Sequence, residues 1–281
     1  MQTPVSGYDF MRMAELCVDI TSHIMKLNQK FDSLLLLDRP DPVIIRQLGN
    51  FNIIYIKVDF IEHFFRQFYN LLCHDVVIIT HNGDYGITNK YVQILNLPKI
   101  KRWFAQNTLI RHPKLVTIPI GIANLQYKHG NKHLLQQIGK LELPKERLLY
   151  VNFNVQTNYR VRNPIMDLLT RKRYKTIGGV KPLDQELYWR EIASSKFCVA
   201  PPGNGIDCHR IWECICLNTI PICINSIGYE QFKELPILFI DDWDLITDIF
   251  LERKWEEFSQ KTFNKDKCYM EYWESEINSF L

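Results

Sequence analysis

The chain has 281 residues, of which 46% are hydrophobic and 23% are charged, a composition typical of a folded globular protein with one large or two small domains. Its net charge of +3 is too small to indicate a nucleic-acid-binding protein, because such proteins concentrate basic residues on one face. No apolar run approaches the roughly 20 residues of a membrane span, and residues 1–7 do not lead into the apolar segment of a secretory signal. We therefore expect a soluble, cytoplasmic protein.

The N-terminal third contains two kinds of apolar segment, which have the patterns of amphipathic helices and of buried strands. Apolar residues recur at intervals of three and four from Phe10 to Leu27, which predicts one amphipathic helix over residues 10–27. Three short apolar runs are typical of buried strands, and they cover residues 34–37, 51–58 and 76–80, with a helical pattern at 59–72. Strands that alternate with helices predict an α/β fold with a parallel sheet.

The strand predicted at residues 76–80 leads into the polar loop His81-Asn82-Gly83-Asp84-Tyr85-Gly86. Ligands of open parallel sheets gather at the carboxyl ends of the strands, so the chemistry of the N-terminal half is expected in this loop. Asp84 and His81 both carry groups that can act as a general base. The residues leave a second interpretation open, namely a turn in which Asp84 caps a helix that begins near Ile87.

The middle of the chain continues the alternation. Strands are predicted at residues 115–118 and 148–153, and between them lies a basic surface segment with a helical end over 127–140, which could also line an acceptor site. Residues 141–146 form the best linker candidate because a proline stands among charges there. A polar loop over 154–164, containing Thr157, Asn158, Arg160 and Arg162, precedes a helix predicted from Ile165.

Residues 195–226 carry the largest number of structural and ligand-binding patterns in the sequence. A turn is predicted at residues 177–179 and a helix at 183–194. A strand at 197–200, the turn Gly203-Asn204-Gly205, a helix at 207–217 and a strand at 220–224 follow. A helix that begins just after a glycine turn directs unpaired backbone N–H groups at the turn, which favours an anion. Asp207 is the expected N-cap, and Arg210 and Glu213 fall on one face of the helix. Spacing alone leaves open that these two merely pair on a solvated face.

The end of the chain predicts a strand at residues 238–240 and helices at 244–258 and 262–281. The acidic run Asp241-Asp242-Trp243-Asp244 fits a helix N-cap better than a metal site. Most of the eight cysteines lie inside apolar runs without a C-x-x-C pair, so we expect reduced core thiols. Cys208 and His209 lack a second ligand pair at zinc-site spacing, and the sequence predicts no metal site.

Several segments resemble the exostosin-like glycosyltransferases. The run PPGNGIDCHRIWE, followed by NTIPI, is similar to their C-terminal signature, in which a proline-glycine turn leads into an arginine, a glutamate and an apolar strand containing IP. The segments HNGDYGI, WFAQN, HPKL and IPIGIAN also look like this family, so that the resemblance extends over residues 76–250. One departure is Cys216-Leu217-Asn218-Thr219, where the family commonly has small residues and glycine.

The resemblance implies an α/β fold of the GT-B type, with two Rossmann-like domains facing a central cleft. It implies an acceptor-side domain over residues 1–145, a nucleotide-sugar-binding domain over 146–260, and a C-terminal helix over 261–281 that packs across the domains. The reaction it implies is transfer of a sugar, with inversion, from a UDP-sugar to a hydroxyl of a glycan acceptor. The UDP-sugar is then a co-substrate, and neither a metal nor another cofactor is required.

The compact chain looks closest to glycan-building enzymes of large algal viruses, a xylosyltransferase among them. This favours UDP-xylose as donor and, for a viral protein, the host cytosol as location. The implied donor-site residues are Arg210 for the diphosphate, Glu213 for the ribose or the sugar, Thr157, Asn158 and either Arg160 or Arg162 for a second contact, and the turn residues Gly203, Asn204, Gly205 and Asp207. Asp84 is the first choice of base and His81 the second.

Two other classes of function remain. One is a nucleotide- or glycan-binding module of the same fold that has no catalytic turnover. The other is a dinucleotide-dependent oxidoreductase, which is disfavoured because no G-x-G-x-x-G follows the early strands.

Overall fold

The structure is a computed structural model that describes residues 2–27, 30–127, 129–178 and 184–281. The chain forms two compact units, one made of Met1–Gly130 with Tyr269–Leu281 and the other of Asn131–Cys268. Each unit contains a parallel sheet with helices connecting its strands, so the predicted α/β class with two Rossmann-like units is confirmed. The domain limits predicted at residues 145 and 260, and the GT-B-like cleft, stay predictions.

The regular elements of the described residues follow the chain in order. The strands are β1 (Leu16–Asp19), β2 (Leu34–Leu36), β3 (Ile53–Lys57), β4 (Val76–His81), β5 (Ile100–Ala105), β6 (Leu115–Thr117), β7 (Arg147–Phe153), β8 (Thr176–Gly178), β9 (Ser195–Val199), β10 (Ile220–Ile224) and β11 (Leu238–Ile240). The helices are α1 (Gly7–Met13), α2 (Thr21–Leu27), α3 (Pro42–Gln47), α4 (Ile61–Phe68), α5 (Val92–Leu95), α6 (Lys132–Gly139), α7 (Tyr159–Arg171), α8 (Gln185–Ala193), α9 (His209–Cys216), α10 (Asp248–Ser259) and α11 (Met270–Asn278).

The sheet of the first unit has the strand order β2-β1-β3-β4-β5-β6. Strands β1 and β4 are buried along their whole length, as expected of parallel strands covered on both faces. Helix α4 shows how the sequence produces this packing. Its buried residues Ile61, Phe64, Phe65 and Phe68 follow the helical repeat, and the Phe65 ring stacks on Trp103 of β5 at 6.0 Å.

The prediction of one helix over residues 10–27 is wrong. Helix α1 ends at Met13, β1 follows, and α2 begins at Thr21. In β1, Cys17 lies opposite Leu34 of β2 and Tyr55 of β3, so the strand pairs on both sides. The apolar intervals of three and four were produced by two short helices with a four-residue strand between them. Such a strand is too short to interrupt the helical count.

The sheet of the second unit has the order β11-β10-β9-β7-β8. The helix predicted from Ile165 begins at Tyr159 instead and contains Pro164. A proline is best tolerated in the first turn of a helix, where its missing N–H is not needed, but Pro164 lies one turn further in. Arg160 and Arg162 therefore lie on α7 rather than in a loop. Of the turn predicted at residues 177–179, the first two belong to β8, whereas Gly179 and the predicted start of α8 at Leu183 lie outside the described residues.

The end of the chain packs on the first unit through α11. The Trp273 ring is buried and meets Phe10 edge-on at 6.2 Å, and Phe280 meets Phe104 at 5.9 Å. Asp242 caps a short 3-10 turn by accepting a hydrogen bond from the backbone N–H of Asp244 at 2.8 Å, whereas the helix predicted from residue 244 begins at Asp248 and has Thr247 as its N-cap. All eight cysteines are free thiols, and no helix of the described residues is both long and apolar enough to cross a membrane.

Candidate functional site

The second sheet reverses its strand order at β7 and β9. From β7 the chain moves to β8 on one side, and it then returns to the other side for β9, β10 and β11. The connections that leave the two neighbouring strands therefore diverge, and such a reversal opens a crevice at the carboxyl ends of the strands. The segments that begin there, residues 154–158 and 200–208, contain six of the ten predicted donor-site residues, and the other four lie on the helices that follow, α7 and α9.

Arg162 ties these two segments together. From α7 its Nε and Nη2 donate to the carbonyl oxygens of Pro202 at 2.9 Å and Pro201 at 3.2 Å, and its Nη1 donates to the carbonyl of Asn154 at 2.9 Å. The residue is only 6% exposed. Because every guanidinium nitrogen is bonded to a backbone carbonyl, Arg162 shapes the site and adds a positive charge beneath it.

Gly203 lies where this arginine leaves little space. A Cβ at Gly203 would lie 3.3 Å from Nη2 of Arg162 and 3.8 Å from Cγ2 of Thr157. Asn158 secures the same residue by donating from Nδ2 to the carbonyl of Gly203 at 2.7 Å. The lack of a side chain therefore lets the loop lie close to the buried arginine, in addition to any access it gives a ligand.

The rest of the predicted donor set lies on the surrounding surface. Asn204 is exposed at the tip of the loop, and Gly205 beside it is half-buried. Thr157 is exposed in a short turn, and Arg160 is exposed on the first turn of α7. The structure thus separates the two arginines that spacing could not distinguish, since Arg162 is buried in the loop framework and Arg160 faces solvent.

Helix α9 begins differently from the prediction. Its N-cap residue is Cys208 rather than Asp207. Both carboxylate oxygens of Asp207 accept from Nε1 of Trp212, at 2.9 and 3.0 Å, and this side chain is nearly buried. The carboxylate is therefore directed at the indole N–H and holds the loop against the helix. Burial raises the pKa of the Cys208 thiol to about 11, so at neutral pH the thiol is protonated and is a poor nucleophile.

Arg210 is held by a tyrosine that the sequence analysis did not identify. Nε of Arg210 donates to the hydroxyl oxygen of Tyr188 on α8 at 3.0 Å, and that hydroxyl donates to Oε2 of Glu213 at 3.5 Å. Glu213 is only 4% exposed, so the interpretation of a solvated ion pair is not supported. Among the residues that the structure describes, no partner contacts the two terminal nitrogens of Arg210. This fork is free to bind a bidentate anion.

The electrostatics of this cluster favour a negatively charged ligand. Burial lowers the pKa of Arg162, and the nearby positive charge of Arg210 lowers it further. Burial raises the pKa of the Glu213 carboxyl, although Arg210, Trp189 and Tyr188 oppose that rise. The two guanidinium groups therefore repel each other. Burial also acts to lower the pKa of Arg210, but the acidic groups around it, Tyr188 and Glu213 among them, raise that pKa above its ordinary value. A bound phosphate would relieve this repulsion.

The two predicted bases lie in the first unit. His81, at the end of β4, is 1% exposed, and both of its ring nitrogens are bonded to backbone groups. Nε2 donates to the carbonyl of Pro119 at 3.0 Å, and Nδ1 accepts from the N–H of Asn82 at 2.7 Å. With Nε2 donating and Nδ1 accepting, the ring is in one neutral tautomer, and the assignment of His81 as second-choice base stays a prediction.

Asp84 is exposed in the loop after β4 and lies within electrostatic range of Lys57. The interpretation in which Asp84 caps a helix from Ile87 is wrong. Ile87 forms a β-bridge with Thr108, and the next helical turn, Asn89–Tyr91, has Thr88 at its N-cap. The assignment of Asp84 as base stays a prediction.

A second polar cluster lies in the first unit and was missed by the sequence analysis. The first sheet also reverses, because β2 and β3 flank β1 on opposite sides. At this reversal Nδ1 of His23 donates to Oδ1 of Asp19 at 2.9 Å, and Asp19 is 3% exposed at the end of β1. The wrongly predicted helix hid this pair, since it made residues 19 and 23 neighbours on a helix face rather than the end of a strand and the start of a new helix.

The part of the chain that the structure describes has no group of three or more His, Cys, Asp or Glu residues arranged to hold a metal ion. No model of a known protein family matches the sequence, and no curated protein matches it.

The chain is similar to two solved structures in its fold. One is an α1,3-fucosyltransferase, with 10% sequence identity and a TM-score of 0.48, covering 94% of this chain and 88% of the other. The second is a glycosyltransferase from Rickettsia africae ESF-5, with 12% identity and a TM-score of 0.47, covering 96% of this chain and 94% of the other. At these values the two likenesses carry no conclusion about function.

Proposed function

We propose that this protein is a glycosyltransferase whose second unit binds the diphosphate of a nucleotide sugar. The observation that carries the proposal is the fork of Arg210. Tyr188 holds the guanidinium through Nε, which leaves the two terminal nitrogens for phosphate oxygens at the strand reversal between β7 and β9. In this proposal the loop residues 203–207, which follow two prolines, offer backbone N–H groups to the diphosphate, and Arg162 adds a buried positive charge.

The arrangement suits the bond that breaks in sugar transfer. As the anomeric carbon separates from the diphosphate, negative charge grows on the leaving oxygen, and preorganised donors stabilise that charge more than they stabilise the intact donor. In this proposal Glu213, which accepts from the Tyr188 hydroxyl, also accepts hydrogen bonds from a ribose or sugar hydroxyl. In this proposal Asn158 and Thr157 line the crevice without contacting the breaking bond.

The exostosin-like resemblance supplies the finer proposals. The donor is a UDP-sugar with xylose favoured, the acceptor is a glycan hydroxyl, the configuration at the anomeric carbon inverts, and the arginines and helix end do the work that a divalent ion does elsewhere. An inverting transfer also needs a base for the acceptor hydroxyl. Asp84, exposed beyond the end of β4, is a candidate for that role.

A panel of nucleotide sugars tests the proposal. The purified chain is incubated with UDP-xylose, other UDP-sugars and a GDP-sugar, and both binding and release of the nucleoside diphosphate are measured. We expect selective release from one UDP-sugar, with water or a simple glycoside as acceptor. Binding of UDP without release from any sugar would instead indicate the non-catalytic binding module.

Arg210→Ala tests the site itself. Loss of a charge-assisted fork on a phosphate is expected to weaken UDP binding by about tenfold to a hundredfold, which corresponds to roughly 1.4–3 kcal/mol. The matched control is Arg171→Ala, because Arg171 is an exposed arginine in the last turn of α7. Equal UDP affinity in Arg210→Ala and the control would show that α9 does not hold the diphosphate.

A further inference from the structure

The second unit exposes one aromatic ring beside the crevice between β7 and β9. Tyr159, the first residue of α7, is 55% exposed. Within residues 131–178 and 184–268, every other Phe, Tyr and Trp side chain is buried or half-buried. No hydrogen bond or ring contact holds the Tyr159 side chain among the residues that the structure describes. The ring is therefore accessible to a ligand.

The contacts of its neighbours place Tyr159 next to the candidate diphosphate loop. Asn158, the preceding residue, donates from Nδ2 to the carbonyl of Gly203 at 2.7 Å. Arg162 comes three positions later, on nearly the same face of α7, and donates from Nη2 to the carbonyl of Pro201 at 3.2 Å. Helical side chains lean toward the N-terminus of their helix, which for α7 is the end at the carboxyl edge of the sheet. The Tyr159 side chain thus stands at the edge where that loop begins.

Helices α7 and α9 flank this edge from opposite faces of the second sheet. The chain moves in one direction from β7 to β8 and in the other from β8 to β9 and β10, so right-handed crossovers place α7 on one face and α8 with α9 on the other. The packing agrees, since Tyr188 of α8 meets Arg210 of α9, whereas Tyr174, just after α7, donates to Asp248 of α10 at 2.8 Å. A ligand that lies across the edge can therefore reach the starts of both helices.

We propose that Tyr159 is the stacking platform for the nucleobase of the donor. This inference rests on the proposed function, in which Arg210 binds the diphosphate. A nucleoside diphosphate has an anionic end and a flat aromatic end. The start of α9 offers the guanidinium fork and the start of α7 offers the exposed ring, so each end of the ligand meets a group of matching chemistry. Every base has a π face, and Tyr159 therefore adds affinity without choosing the base.

The position of Tyr159 distinguishes it from an ordinary surface side chain. Large apolar side chains that stand singly on a surface are common and need no function. The other exposed ones in the described part of the second unit are all aliphatic, namely Leu141, Val161, Leu187, Leu245 and Ile249. An aliphatic side chain has no π face with which to stack on a base. Tyr159 alone combines such a face with a place at the strand reversal, where ligands of parallel sheets bind.

Titration calorimetry with UDP and with inorganic pyrophosphate tests the platform. Tyr159→Ala is expected to weaken UDP binding by roughly fivefold to a hundredfold, the usual range for removing one stacked aromatic ring, and to leave pyrophosphate affinity within about twofold of wild type. Tyr159→Phe keeps the π face and is expected to bind both ligands about as tightly as wild type. The control is Val161→Ala, because Val161 is 39% exposed on the same helix but two positions on, and so on another face.

The two ligands separate a failure of the platform from a failure of the donor site. Equal UDP affinity in Tyr159→Ala and Val161→Ala would overturn the platform, and so would a Tyr159→Ala variant that loses UDP and pyrophosphate affinity to the same extent. A wild type that binds pyrophosphate as tightly as UDP would also overturn it, because the nucleoside would then add nothing, while the anion site would stand. A wild type that binds neither ligand would overturn the proposed function and the platform together.

Discussion

The two sheets reverse their strand order in the same way, yet the edges at those reversals carry different chemistry. The edge at β7 and β9 presents guanidinium groups and backbone donors, with Arg162 as framework and Arg210 as the free fork. The edge at β1 and β3 presents a carboxylate and an imidazole. One edge offers positively charged hydrogen-bond donors, and the other holds a hydrogen-bonded pair of a buried carboxylate and an imidazole. The same topology thus supplies two sites, and only the residues at the strand ends decide which function each serves.

The largest expected difference between the two units is in the pH dependence of their unfolding free energy, and it comes from buried cysteine thiols. Burial raises the pKa of Cys17 in the first unit above the ordinary value of 9.0, and it does the same for five thiols of the second unit, namely Cys208, Cys214, Cys216, Cys223 and Cys268. Above pH 9 the unfolded chain releases these protons and the folded chain keeps them, so stability falls as pH rises. Each thiol is expected to cost about 1.4 kcal/mol of unfolding free energy per pH unit above 9. Lys145 acts in the opposite direction, because burial lowers its pKa to about 8.

Urea unfolding at pH 8 and pH 10 measures this loss. With five of these six thiols in the second unit, we expect Asn131–Cys268 to lose more stability than the first unit. Cys223→Ala is the variant to compare, since it should flatten the pH dependence by one thiol while Cys73→Ala, at an exposed position, should not. An equal pH dependence in the two variants would contradict the assignment of these protons.

The sequence predicts a sheet edge well only where the residues of that edge lie in one continuous stretch of the chain. The second edge was found because its strand, glycine turn, helix and strand lie within one continuous stretch, with Arg210 and Glu213 on the same helix face. Tyr188 was missed, because its contacts with that helix join residues 22 and 25 positions apart, which no local pattern encodes. The order of strands in the sheet is equally non-local, and so is the point where that order reverses.

The first edge was missed for a different reason. A four-residue strand carries little periodic signal, and the apolar residues of β1 and its flanking helices happened to fit a helical count. Asp19 then looked like a polar residue on a helix, although it is buried at a strand end. The same limit applies to Asp207 and Arg162, whose partners Trp212 and the loop carbonyls become visible only once the loop is folded. The apolar periodicity of core residues can be read from a short stretch of sequence. The hydrogen-bond partners of buried polar side chains are brought together only by the tertiary fold.

The next largest effect concerns the framework of the second edge. Arg162→Leu leaves three carbonyl oxygens without their charged donor, and we expect unfolding free energy to fall by about 3 kcal/mol, with UDP binding lost as the loop loosens. Arg160→Leu, on the exposed side of the same helix, is expected to change stability by no more than about 0.5 kcal/mol. Urea denaturation of both variants checks this. Similar losses in the two would mean that the buried fork does not hold the loop.

The smallest effect is expected from Tyr188→Phe, which removes only the hydroxyl between Arg210 and Glu213. The loss of one hydrogen bond to each charged neighbour is expected to cost about 1 kcal/mol of stability and to weaken UDP binding by roughly fivefold, because the arginine fork is no longer held in one orientation. Binding calorimetry with UDP and with uridine divides the effect. If Tyr188 acts through Arg210, affinity for UDP falls and affinity for uridine does not. A matching loss of affinity for uridine would show that Tyr188 acts on the nucleoside and not through the contact of Arg210 with the diphosphate.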